Sequence, residues 1–332
     1  MKIPSILSDK ILNSIPRDRE RRSIWQGDHL TLTEVDGTLD FDATKMSLDD
    51  HLVRFVTLPK LFDLLGKKRL VLSRLDQHIK GDPFECQARR SYANISTKEL
   101  KKRALALRKY IMKIAPLSGG DHGCSESWLK NLNLKDTSAN DLKAITWRLE
   151  QEALKRQLAF VCWCKGSDSS DAMWRVYGKH GAAIFTSVSR LKSSLLKVAV
   201  PKVCARDVKL ALASVEYSND SEYDEPWLLK REAFGHEKEV RLYCDLPLTK
   251  TAGTEIRVSV PTLIQKIELS PFAEFWECTA IRSATTALLE KAGAPHVQVC
   301  QSDHMRPPSN LLPSDEKMVR EVMKKVFPPV SY

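Results

Sequence analysis

The sequence predicts a mixed α+β fold, with one core domain built on strands and carrying a helical insertion. Three observations lead there. Short strand-like stretches outnumber helical ones along the 332 residues. They do not alternate regularly with helices, as a doubly wound parallel sheet requires. The two longest helical patterns lie side by side at 90–158, between strand candidates. The chain divides accordingly into an N-terminal extension, 1–45, a core, 46–304, and a C-terminal tail, 305–332.

In order, residues 1–45 are polar and weakly periodic, with an arginine-rich patch from Arg17 to Arg22. His51–Val56 reads as the first strand, Pro59–Leu65 as a short helix closed by Gly66, and Arg69–Ser73 as a second strand. The Asp82-Pro83 pair within 80–85 marks a turn, because the residue before proline is steered away from the helical region. Ser96-Thr-Lys-Glu99 has capping-box form, and Leu100, Ala104, Leu107, Ile111 and Ile114 recur at three- and four-residue steps, which predicts a long helix. A second helix, from about Asn140 to Leu158, follows on Leu142, Ile145, Leu149, Ala153 and Leu154.

The middle turns to strands. Ala159–Cys164 reads as a buried strand, 166–171 as a loop, Ala172–Gly178 as a short helix ending at glycine, and Gly181–Thr186 as another strand. A helix over 187–196 and strands over 198–204 and 212–217 precede an acidic loop, 219–225. Strands are expected at Glu237–Cys244, 254–260 and 264–269, a helix over Thr279–Ala292 with a Gly293 stop, and a last strand over Val297–Cys300.

Composition narrows the function classes. With 42% hydrophobic and 28% charged residues the chain reads as soluble and globular, and no apolar run reaches the roughly 18 residues of a membrane span. The start has no apolar core or small-residue cleavage site of a signal peptide, so a cytoplasmic protein without a membrane partner is expected. A net charge of +10 permits a polyanionic partner and equally serves solubility. The lysine-rich helix over 96–115 presents either a solvated face or a nucleic-acid surface, and no aromatic platform accompanies it. None of the eight cysteines forms a C-x-x-C pair, and Cys162 and Cys164 with His122 and Cys124 do not match a zinc spacing, so no metal is expected.

No Walker loop, G-x-G-x-x-G, H-E-x-x-H or G-x-S-x-G occurs. The residues able to do chemistry fall on predicted strand ends: Arg54, Ser73, Asp82, Glu85, Ser167, Trp174, Tyr177, Glu237 and Glu239. In the strand from Glu237, alternation puts Glu237, Glu239 and Arg241 on one face and Val240 and Leu242 on the other. Such a face is either solvated or the wall of a cleft. Singly, each residue has a plain reading: Arg54 pairing with Glu85, Trp174 and Tyr177 filling core, Glu237 and Arg241 forming one ion pair.

Taken together, several blocks in order resemble a large bacterial family catalogued as a domain of unknown function. They are His51-Leu-Val-Arg-Phe, Leu70-Val-Leu-Ser with Asp82-Pro-Phe-Glu85, Phe160-Val-Cys-Trp-Cys, Met173-Trp-Arg-Val-Tyr, the run from Lys230 through Phe234 to Glu237-Lys-Glu-Val-Arg241, and Lys266–Pro271. Gly81 and Cys164 depart from that family's usual asparagine and serine. The order of elements is also similar to that of a remote ADP-ribosyltransferase. That likeness implies a split β-sheet core, NAD as cofactor, and a transferase acting on a nucleic-acid or protein acceptor in a toxin or phage-defence setting, with an inhibitory partner protein as an option. By the same likeness Glu239 is the catalytic carboxylate with Glu237 beside it, and Arg54 the cofactor anchor. His51, three positions away, faces the other side of an ideal strand. Cys164 or Ser167 takes the middle serine's place, Tyr177 or Trp174 walls the nicotinamide, and Arg241, counted among the cofactor-binding residues, positions the site. The alternative is a non-catalytic module that binds nucleic acid or a partner.

Overall fold

Runs rich in valine, leucine, isoleucine and aromatic residues pair into one large sheet, and helices cover it. The computed structural model describes residues 32–36, 40–42, 46–78, 86, 92, 95–114, 126–134, 136–167, 170–201, 209–218, 226–245 and 253–303. The strands are β1 (Leu32–Asp36), β2 (Asp40–Asp42), β3 (His51–Thr57), β4 (Arg69–Arg74), β5 (Leu158–Lys165), β6 (Gly181–Ser187), β7 (Leu195–Pro201), β8 (Lys209–Ser214), β9 (Glu216–Tyr217), β10 (Leu229–Lys230), β11 (Glu239–Asp245), β12 (Gly253–Val258), β13 (Lys266–Leu269) and β14 (Gln298–Gln301). The helices are α1 (Leu58–Lys67), α2 (Leu75–His78), α3 (Thr97–Ile114), α4 (Glu126–Asn131), α5 (Ala139–Gln157), α6 (Asp171–Met173), α7 (Val188–Ser194), α8 (Val260–Leu263) and α9 (Phe275–Ala292).

The main sheet runs β1-β7-β12-β4-β5-β3-β6-β13-β14, and β11 adds β8 and β2 against β5. It is mixed with helices and mostly antiparallel; β2–β8 and β13–β14 are parallel. The mixed α+β class predicted above is therefore what the chain forms. β5 is the branch point. One edge pairs with β11 from Leu158 to Cys164. The other edge is shared: β3 meets it at Lys165 and Cys164, while β4 meets it at Phe160 and Ala159. Val161, Cys162 and Trp163 lie in the fork between these two partners.

One face of the sheet buries the largest core. Leu52, Val56, Leu70, Leu72, Trp163, Ile184, Val240 and Leu242 meet Leu61, Leu64 and Leu65 of α1, Val188 and Leu191 of α7, and Cys278 and Leu289 of α9. The insertion packs separately: Leu100, Ala104, Leu107 and Ile111 of α3 face Leu142, Leu149 and Ala153 of α5, with Leu129 of α4 between them. Ser138 caps α5 by accepting the Asp141 N–H, and Ser96 accepts the Glu99 N–H at the start of α3.

Some boundaries differ from expectation for physical reasons. The extension over 1–45 contains two strands: β1 pairs antiparallel with β7, and β2 parallel with β8, so the sheet begins before residue 46. Too short to show periodicity, they are held by their neighbours. α1 runs through Gly66 and ends on Lys68, whose φ of 52° is left-handed. α9 starts at Phe275 because Glu274 and Glu277 form the capping box. Its end at Gly293, with φ 83°, is where the sequence puts it. The Arg17–Arg22 patch, the 80–85 turn with Asp82 and Glu85, His122 with Cys124, and the tail beyond 303 lie outside the described residues.

Candidate functional site

Directly paired residues on neighbouring strands share a face. Glu239 pairs with Cys164, which pairs with Val53, and Arg241 pairs with Cys162. Val240 and Leu242 point into the core on the opposite side, as the alternation of the sequence requires. Glu237 joins Glu239 by another route. It ends a 3-10 turn, Glu232–Glu237, and the chain reverses through Lys238 at φ 44° before β11 begins.

The two carboxylates form one network. Lys230 Nζ donates to Glu237 Oε2 at 2.6 Å and to Glu239 Oε2 at 3.0 Å. Arg241 Nε donates to Glu239 Oε1 at 2.7 Å, and the Tyr177 hydroxyl to Glu237 Oε1 at 2.7 Å. All four carboxylate oxygens are thus engaged. Glu237 is 5%, Glu239 4% and Arg241 1% exposed, whereas Tyr177 is 44% exposed. The Glu239 backbone N–H donates to the Tyr217 hydroxyl at 2.7 Å. Burial pushes the Glu239 carboxyl up, but Arg241 and Lys230 outweigh it and hold the group ionised, well below the usual carboxylate range. Burial, together with Glu237, pushes the Tyr177 phenol up, so it keeps its proton. Burial pushes Tyr217 up to about 12 and Cys164 to about 12, the latter helped by the nearby carboxylates.

Arg241 acts as a positioning group. Its Nη1 donates to the Trp227 carbonyl at 2.7 Å and to Cys86 Sγ at 3.2 Å, and its guanidinium lies 4.5 Å from the Phe160 ring centre. Enclosed in this way, it offers no face to a cofactor, which corrects its expected cofactor contact. Trp174 needs a similar correction. It is fully buried among Val53, Ala183 and Phe185, edge-on to Phe55 at 5.0 Å, and cannot wall a ligand. Tyr177, in the same π-helical turn (Trp174–Gly178), is the exposed aromatic.

Arg54 stands apart from the carboxylates. It pairs with Ile184, a core residue, and shares the face of Leu52 and Val56, away from Glu239. Its guanidinium sits 5.9 Å from the Trp163 ring, and burial pulls it down to about 10. The period of two along a strand puts position 54 on the wrong side for an anchor beside Glu239. The same period puts exposed His51 on the side of Val53. Ser167 is exposed just beyond β5 and takes part in none of the network's hydrogen bonds. Cys164 holds the register position directly beside Glu239.

Sequence reasoning assigned no role to two residues of this cluster. Lys230 closes it from β10, which pairs in parallel with β9 at Tyr217. His78 of α2 stacks on Phe160, with ring centres 4.0 Å apart, and its Nε2 has no partner among the described residues. Burial first, and then Arg241, lower its imidazole to about 4, which leaves it neutral. No spacing rule links Lys230 or His78 to Glu239. The basic residue seven positions before Glu237 was the available signal for Lys230.

No protein-family profile matches the chain, and no curated protein or solved structure does. Among the described residues no helix is long and apolar enough to cross a membrane.

Proposed function

We propose that the protein cleaves the bond between nicotinamide and ribose in NAD and transfers the ADP-ribosyl group to a macromolecular acceptor, nucleic acid or protein, as a toxin or phage-defence effector would. The single observation carrying this reading is a pair of buried carboxylates, Glu237 and Glu239, beside the fork of the sheet and beneath an exposed tyrosine. Nicotinamide leaves with the bonding electrons, and positive charge grows on the ribose. A fixed carboxylate in a water-poor site stabilises such an oxocarbenium-like state, as it does in glycoside hydrolysis. Glu239 is suited to that task because Arg241 and Lys230 keep it charged. Glu237 is suited to accept a ribose hydroxyl and then the acceptor's proton. The Tyr177 ring is placed to cover the pyridinium. Arg54 has no part in this scheme; His51 is the hydrogen-bonding side chain on the correct side for the phosphates.

The full occupancy of both carboxylates favours a second reading, a non-catalytic module that binds nucleic acid or a protein partner and uses the network only for rigidity. Incubation with NAD and candidate acceptors decides between them. Release of free nicotinamide, reduced by about 100-fold or more in Glu239→Gln and retained in Lys101→Ala, is the expected result. No release with any acceptor, together with salt-dependent nucleic-acid binding that Glu239→Gln does not alter, assigns the module.

A further inference from the structure

We propose that the Tyr177 phenol is a latch on Glu237 that a ligand's ribose hydroxyl must displace, so that the network as it stands is the closed form of the site. The inference rests on the NAD reading above and deepens it.

The three groups holding the carboxylates through four hydrogen bonds are not equivalent. The Lys230 side chain is 8% exposed and that of Arg241 1%, and both are charged, so neither can leave without stranding a buried anion. Tyr177 is 44% exposed, neutral, and bonded to Glu237 Oε1 alone among that network's oxygens. Replacing a phenol O–H by an alcohol O–H on the same oxygen conserves charge and the number of hydrogen bonds. Of these three holders, only Tyr177 meets both conditions for exchange.

The backbone supports such a movement. Tyr177 sits in a π-helical turn, Trp174–Gly178, a form rare outside single turns and common at functional sites. The turn is anchored at both ends, since Trp174 packs on Phe55 and Gly178 lies so close that an added Cβ would stand 2.4 Å from Trp174 Cε3. The stretch between them is exposed, with Val176 at 62% and Tyr177 at 44%. A local movement of that exposed stretch swings the position-177 side chain off Glu237 while Trp174 and Gly178 stay put. The ring, once released, is the pyridinium cover named above.

The latch predicts an unusual sign. Tyr177→Phe keeps the ring and removes the hydroxyl that competes for Glu237, so calorimetric titration with NAD is expected to show binding about tenfold tighter than wild type, the worth of one hydrogen bond to a charged group. Glu237→Gln is expected to weaken binding in either background. A 2′,3′-dideoxy analogue of NAD is expected to gain nothing from Tyr177→Phe. Unchanged or weaker binding in Tyr177→Phe overturns the proposal, as does an equal gain for the dideoxy analogue, or failure of both proteins to bind NAD. Failure of the transferase reading looks different: NAD binds with the expected gain, yet no nicotinamide is released.

Discussion

The molecule contains the same small motif twice, and the two copies behave differently. In the helical insertion, the Tyr92 hydroxyl donates to Glu150 Oε2 at 2.6 Å and Arg103 pairs with Glu150. On the sheet, Tyr177 donates to Glu237 and Lys230 pairs with it. A phenol, a carboxylate and a cation make each. Tyr92, however, is 7% exposed and part of the insertion's own core, whereas Tyr177 is 44% exposed. The sheet copy also has a second carboxylate, Glu239, and a second cation, Arg241, packed beneath it. Hydrogen-bond geometry therefore does not distinguish a structural staple from a candidate site. What distinguishes them is whether the neutral donor faces solvent over more than one buried charge.

The largest expected effect tests that contrast directly. Arg241→Met leaves Glu239 buried with Lys230 as its remaining cation, and should lower unfolding stability by about 3–5 kcal/mol. Arg103→Met leaves a single carboxylate that still accepts the Tyr92 hydroxyl, and should cost clearly less. Equal shifts in denaturation midpoint for the two variants would erase the distinction. Next is a pH effect beside the sheet's carboxylates. His78 titrates near 4 when folded and near 6.5 when unfolded, so between those values the unfolded chain binds the proton that the fold refuses. Stability then rises with pH across that window, and falls by up to about 3 kcal/mol as pH drops from 6.5 to 4. His78→Gln should flatten denaturation midpoints measured across this range.

A smaller effect concerns the turn that presents Tyr177. Gly178→Ala drives a methyl into the Trp174 ring, and should cost about 1–3 kcal/mol of stability by thermal or chemical unfolding. A neutral result would mean that the turn is not anchored there. The smallest is Tyr92→Phe, expected to lose about 1 kcal/mol and leave NAD binding unchanged. If it alters NAD binding as Tyr177→Phe is expected to, the two motifs are functionally alike and the comparison fails.

Much of the fold was legible residue by residue. The apolar steps from Leu100 to Ile111 and from Leu142 to Ala153 placed the two long helices, and the faces they bury are those the steps define. Alternation at Glu239-Val-Arg-Leu242 sorted charged from apolar positions before any neighbour was known. It sorted Arg54 as well, since the period that exposes His51 on one side sends 54 to the other. A likeness in motif order had placed Arg54 with Glu239, and strand periodicity outweighs it. Trp174 and Tyr177 show the opposite limit. Both are aromatic and three apart, yet one is fully buried and the other is the exposed member of the network, a division set by Phe55 and Gly178 packing on the indole.

By itself the sequence determined the mixed α+β class, the positions of most elements, and which side chains of each strand could ever face one another, because these follow from local periods of 2 and 3.6 residues. Only the tertiary structure decided that β3 and β4 share one edge of β5, that Lys230 reaches both carboxylates, and that His78 comes to lie against Phe160. Those are meetings between stretches far apart in the chain. They are set by strand pairing and by the need of each buried charge for a partner, neither of which leaves a spacing in the sequence to be read.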